Sequence, residues 1–171
     1  MDSTSITLLA AIIILVAFSA YFSATETAFT SLNRIRLKTR ADDGDRRAEK
    51  VLKLAEQYDR LLSTILIGNN IVNITATTLS TVLFVKLCGD QTGPTISTVV
   101  LTVVILIFGE VSPKSLAKEA PETWAMFAAP LLHGLMVVLT PLNFLFSCWK
   151  KLLNRLFRHG QAQGITEEEL V

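Results

Sequence analysis

Apolar residues in this chain come in blocks of membrane length. Residues 6–29, 61–85 and 95–112 are three nearly continuous runs of aliphatic and aromatic side chains. A membrane helix needs about 20 such residues, so each run predicts one span. A fourth block, residues 123–148, is as long but contains Pro130 and Pro141 as natural break points. Between the first two runs the pattern changes. Residues 46–60, RRAEKVLKLAEQYDR, place Val51, Leu54, Ala55 and Tyr58 on one helical stripe and charges on the rest, which predicts an amphipathic helix. The preceding ADDGD is a turn signal centred on Gly44, with Asp45 as the expected N-cap. Residues 149–158 repeat the amphipathic pattern, with Leu152, Leu153, Leu156 and Phe157 opposite Lys150, Lys151, Arg155 and Arg158. That suits a helix on the inner leaflet. Residues 161–171 then turn polar, and Thr166 with Glu169 reads as the capping box of a further helix.

Composition agrees with this pattern: half of the 171 residues are hydrophobic, and the mean hydropathy is +0.46. The first run is too long, and lacks the basic flank, for a cleaved signal peptide. The expected class is an all-α membrane protein. The net charge of +1 is uninformative, but its distribution is not. Of 16 Lys and Arg, nine lie in residues 34–60, two are Lys114 and Lys118, four lie in residues 150–158, and Lys86 is alone between the second and third runs. Basic loops stay on the cytoplasmic side. This predicts three spans, an outside N-terminus and a cytoplasmic C-terminus, multi-pass in a plasma (inner) membrane. Residues 123–148 must then cross an even number of times. Two crossings need roughly 40 residues, so the block reads as a re-entrant or interfacial segment, with a true fourth span as the alternative. Six acids nearly balance the nine bases of residues 34–60, so nucleic acid is not an expected partner. Cys88, Cys148, His133 and His159 form no metal or disulfide spacing.

The polar residues inside the runs carry the candidate chemistry. Ser19, Ser23 and Glu26 share one face of the first span, and a glutamate in a membrane helix is costly enough to suggest function. In the second span Asn69 and Asn73 are four apart, with Asn70 beside them. Counted from the cytoplasmic ends, Asn69 and Asn73 lie about 12 and 18 Å deep, and Ser23 and Ser19 about 9 and 15 Å, so the two patches can face each other. The third span ends IFGEVSPK, where Gly109 loosens the helix and Pro113 is expected to end it, freeing carbonyls near Glu110. The set is all oxygen, which favours Mg²⁺, Ca²⁺ or Mn²⁺ over Zn²⁺ or Cu²⁺. Two readings stay open: a cation site, or Ser and Asn acting as interhelical glue.

The motifs FSATETAF, IGNNIVNI and FGEVSPK, in this order across residues 1–160, resemble the transmembrane domain of the cyclin-M (CNNM) and CorB/CorC magnesium transporters. The resemblance implies a homodimer, a cytoplasmic belt of juxtamembrane helices, and a Mg²⁺ site in an inward-facing cavity. Carried over by motif, Ser19, Ser23, Asn69 and Asn73 are ligands, Gly109 and Glu110 complete or support the site, and Asn70 follows the bacterial form. Glu26, Pro113 and Lys114 are expected to support or gate it, Glu26 pairing with a base such as Arg34 or Lys38. ITEEELV resembles the link to a cytoplasmic pair of CBS modules, through which alone ATP is expected to act. The expected function is Mg²⁺ efflux by a sodium-coupled secondary transporter. The alternative is a Mg²⁺ sensor or scaffold that regulates another transporter without conducting. No HExxH, GxSxG or paired catalytic residues occur, so an enzyme is not expected.

Overall fold

A computed structural model describes residues 2–142 together with Phe144, Cys148 and Trp149. All regular structure among them is helical. The order is α1 (Ser3–Thr30), α2 (Arg34–Asp42), α3 (Arg46–Glu56), α4 (Tyr58–Cys88), α5 (Gly93–Val104), a π-helical segment (Ile105–Val111), α6 (Ser112–Glu119) and α7 (Pro121–Val138). Among the described residues, three helices are long and apolar enough to cross a membrane: α1, α4, and the continuous rod Gly93–Glu119. At about 1.5 Å per residue each exceeds the hydrocarbon core, so each projects beyond it or tilts. Their hydroxyls are satisfied locally: Thr25, Thr27, Thr75, Thr77, Thr78 and Thr81 each donate to the carbonyl four residues back. That removes the cost of threonine in a membrane helix.

The bundle is arranged around α1, which packs on α4, the π segment, α6 and α7. Two apolar clusters form its core. The larger lies toward the basic end and joins Phe22, Phe29, Leu37, Leu61, Ile65 and Leu132. The smaller, Ile12, Ala76, Leu83 and Leu101, lies toward the opposite end. Phe22 closes directly on Gly68, where any Cβ would collide with its ring, so α1 and α4 come unusually near each other. At the turn from α4 to α5, Gly89 takes φ +84°. Gly93 packs so tightly on the Val85 backbone that a Cβ there would sit 2.6 Å from its Cα. Ser97 and Ser80 hydroxyls, both buried, hydrogen-bond at 2.8 Å between α5 and α4.

Four sequence expectations change. Pro113 does not end the third span, because the helix widens into the π segment and continues to Glu119. Pro113 sits directly after the π segment, whose wider turns accommodate its ring within the continuous rod. Pro130 does not break α7, which runs through it to Val138. Residues 46–60 are not one helix: α3 stops at Glu56, and after Gln57 (φ −99°, ψ 41°) Tyr58 starts α4. Tyr58 therefore leaves the stripe, while Val51, Leu54 and Ala55 remain buried, packed within the chain, where α3 meets α2 and α7. The expected N-cap is in place: Asp45 accepts from the N–H groups of Arg47 and Ala48. The fourth change concerns Glu26 and is described with the site. The expected helix at 149–158 and linker at 161–171, but for Trp149, lie outside the described residues.

α7 is held by polar contacts that the block pattern did not reveal. Tyr21 donates to the Ala128 carbonyl at 2.9 Å and Trp124 Nε1 donates to Thr25 Oγ1 at 3.3 Å. Arg60 reaches the Met136 carbonyl at 3.2 Å and Thr140 Oγ1 at 2.7 Å. Arg36 pairs with Glu122 at 3.7 Å. α7 thus lies across α1, α3 and α4 and is not among the candidate spans.

Candidate functional site

Between the two apolar clusters lies a polar band built by α1, α4 and the π segment. Ser19 is fully buried, and its hydroxyl donates to Asn69 Oδ1 at 3.2 Å. Gly109 packs on the same serine: a Cβ there would stand 3.0 Å from Ser19 Oγ. The absent side chain at 109 is what lets the π backbone come this close to α1. One turn from Ser19, Ser23 is 2% exposed. Its Oγ finds no hydrogen-bond partner among the described residues, and neither does Asn73 Oδ1, which is also buried.

Each orphaned oxygen calls for an explanation, since a buried polar atom without a partner costs about 1–3 kcal/mol. The π segment adds to the same supply. Ser112 N–H bonds five residues back to the Ile107 carbonyl, and Pro113 brings no N–H at all. A carbonyl one turn back, at Phe108 or Gly109, is therefore left without a helical donor. Irregular backbone of this kind is tolerated at membrane depth where it lines a polar site. Among the described residues no three His, Cys, Asp or Glu side chains gather, and the serines and asparagines of the band supply neutral oxygens.

The charged residues stand at the edge of the band toward the basic end. Glu26 pairs with Lys114 at 3.5 Å, with side chains 31% and 41% exposed. This corrects the expected pairing with Arg34 or Lys38. Arg34 turns instead to the Ala55 carbonyl, at 3.3 Å. The rod that carries Lys114 continues past Pro113, which is what places its ammonium beside α1. Glu110, half-buried on the π segment, makes no ion pair with any described residue. Asn70 is exposed, because one helical step turns it about 100° from Asn69. The structure joins Ser19 to Asn69 and Gly109, leaves Ser23 one turn along α1 and Asn73 one turn along α4, pairs Glu26 with Lys114, and turns Asn70 away.

Toward the opposite end the described residues form an apolar groove of about 680 Å³ between α1, α4 and α5, lined by Ile13, Val16, Leu83, Phe84, Val104 and neighbours. Ser80, its polar residue, is already bonded to Ser97. At the very end, Asp2 caps α1 through the Ser5 N–H and pairs with Lys86 of α4. Neither that clasp nor the α7 anchors carried a sequence signal beyond single polar residues in apolar surroundings.

Comparison with known proteins agrees with this architecture. The family model of the cyclin M transmembrane N-terminal domain matches residues 10–171. The UPF0053 inner membrane protein YfjD of Escherichia coli (strain K12) is 45% identical over 81% of this chain and 32% of its own length. A UPF0053 protein of Haemophilus influenzae is 40% identical over 99% of this chain and 41% of its own length. A polyamine export protein of the same organism is 28% identical over 94% of this chain and 40% of its own length. The chain therefore spans less than half the length of these curated relatives. With its three spanning helices, the chain is a membrane protein of a transport-related family, and it belongs to the cyclin M transmembrane domain family.

Proposed function

We propose that this chain is the membrane-embedded part of a secondary transporter that moves Mg²⁺ out of the cell through the polar band of α1, α4 and the π segment. The observation that carries this reading is the pair of buried, unpartnered oxygens, Ser23 Oγ and Asn73 Oδ1, beside the Ser19–Asn69 hydrogen bond. Interhelical glue is bonded to a neighbouring helix, and among the described residues these two atoms are bonded to none. Mg²⁺ wants six oxygens in a compact octahedron and keeps some of its waters. Short hydroxyls, amide oxygens and a freed carbonyl suit a partly hydrated ion. Neutral ligands compensate its dehydration incompletely, so the ion is held weakly, as an exported substrate must be.

In this reading the basic end faces the cytoplasm, following the charge distribution. The ion enters past Glu26 and Glu110, and the apolar outer half closes the opposite side. Alternating access then requires the outer half to part, with a sodium gradient as the driving force. The protein works as a homodimer in the plasma membrane and is not an enzyme. Nucleotide control belongs to a cytoplasmic module beyond the residues of this chain.

The test is flux from proteoliposomes loaded with Mg²⁺. Loss is expected for the native chain and is expected to fall at least tenfold in Asn73→Ala and Ser23→Ala. Unchanged flux in both variants removes the band from the mechanism. Binding of Mg²⁺ without any flux favours the sensor reading. Two relatives are named polyamine export proteins, so spermidine efflux is measured in parallel. Spermidine flux without Mg²⁺ flux would assign the path to organic cations.

A further inference from the structure

Resting on that reading of the polar band, we infer that Lys114 is a tethered counter-cation that lowers the affinity of the band for its ion. Its ammonium sits 3.5 Å from the Glu26 carboxylate, joining α6 to α1. Glu26 lies three residues from Ser23, an axial distance of about 4.5 Å along α1 toward the basic end. The pair therefore stands at the mouth of the band. Both side chains are partly exposed, so the pair is solvated and weak enough to exchange. A divalent ion arriving at this mouth meets a carboxylate that is already occupied by a lysine.

Two consequences follow from the charges. Lys114 repels the incoming ion, and it withholds the Glu26 carboxylate from it. Displacing the ammonium is thus part of binding, and its return to Glu26 helps expel the ion. Glu110, half-buried on the π segment and without an ion pair among the described residues, adds a second carboxylate next to Gly109. The arrangement gives an oxygen site that attracts cations without retaining them.

A purely structural ion pair makes the opposite prediction, which makes the inference testable. Mg²⁺ binding is measured by titration calorimetry on the chain in nanodiscs, with thermal stability in parallel. Lys114→Met is expected to bind Mg²⁺ roughly five- to tenfold more tightly, a coupling of ordinary size between neighbouring sites. Lys114→Arg keeps the charge and is expected to bind as the native chain does. Adding Glu26→Gln to Lys114→Met is expected to abolish the gain. If Lys114→Met does not fold, Lys114→Gln is read in its place. Weaker or unchanged Mg²⁺ binding in the neutral variant overturns the inference and leaves Lys114 as a tie between α1 and α6. Absence of Mg²⁺ binding in the native chain overturns instead the reading of the band itself.

Discussion

Ser23 and Ser19 look alike in the sequence and differ in the structure. Ser19 donates to Asn69, while Ser23 Oγ is buried with nothing to bond. Removing an unsatisfied hydroxyl relieves a desolvation cost. Ser23→Ala is therefore expected to leave thermal stability unchanged or slightly raised while Mg²⁺ binding falls. Ser19→Ala strands Asn69 and is expected to lose about 1 kcal/mol in a denaturation assay. Equal destabilisation by both would mean that Ser23 is bonded in the membrane. Gly109 gives a second residue-scale prediction. Its Cβ would press on Ser19 Oγ at 3.0 Å, so Gly109→Ala is expected to displace that hydroxyl and weaken Mg²⁺ binding in the same titration. The serines, asparagines and glycine were legible as a set because few residues in a membrane helix are polar. Which of them bond each other was not legible, because hydrogen bonding is decided by the neighbouring helix.

At the scale of elements, the π segment and α7 are where local pattern and outcome part. Gly109 and Pro113 announced a weak helix, but not that the rod continues to Glu119. Pro113→Ala restores an N–H that can bond back into the helix. It is expected to raise stability by about 1 kcal/mol or more and to reduce Mg²⁺ binding, since it removes a freed carbonyl. Calorimetry with and without Mg²⁺ reads both. Pro130 promised a break in α7 that tertiary contacts override. Ala125, Ala129, Leu132 and Met136 bury one face of that helix, and Arg60 clamps its last turn. Arg60→Ala is expected to cost about 1–2 kcal/mol and to raise amide exchange near Met136 while α1 stays protected. Gln57 shows the converse: a single interrupted turn separates α3 from α4 where the charge pattern is continuous.

The whole molecule is tied at both ends of α1. Toward the basic end stand the Glu26–Lys114 pair and α7. At the other end Lys86 hydrogen-bonds the Asp2 carboxylate, and the Ser5 hydroxyl and N–H add to it, holding its pKa at about 2 against an ordinary 3.8. A carboxylate depressed on folding stabilises above its unfolded pKa and loses that contribution as pH falls through its folded one. This clasp is therefore intact through the neutral range and is lost between about pH 4 and pH 2. Lys86→Met is expected to return the Asp2 titration, followed by NMR, toward the ordinary carboxylate range. No movement would mean that Ser5 alone sets it. The pair is exposed and easily parted.

The sequence by itself determined how many of the described helices are long and apolar enough to cross, and which residue types supply oxygen. Those follow from the one-dimensional demands of a bilayer, namely length, apolarity and the cost of charge. Tertiary structure alone decided that Glu26 meets Lys114, that Asn70 turns away, and that Ser23 Oγ and Asn73 Oδ1 find no partner among the described residues. Each depends on the rotation and approach of packed helices, set here by Phe22 against Gly68 and by Ser19 against Gly109. No periodicity along one strand of chain encodes such contacts.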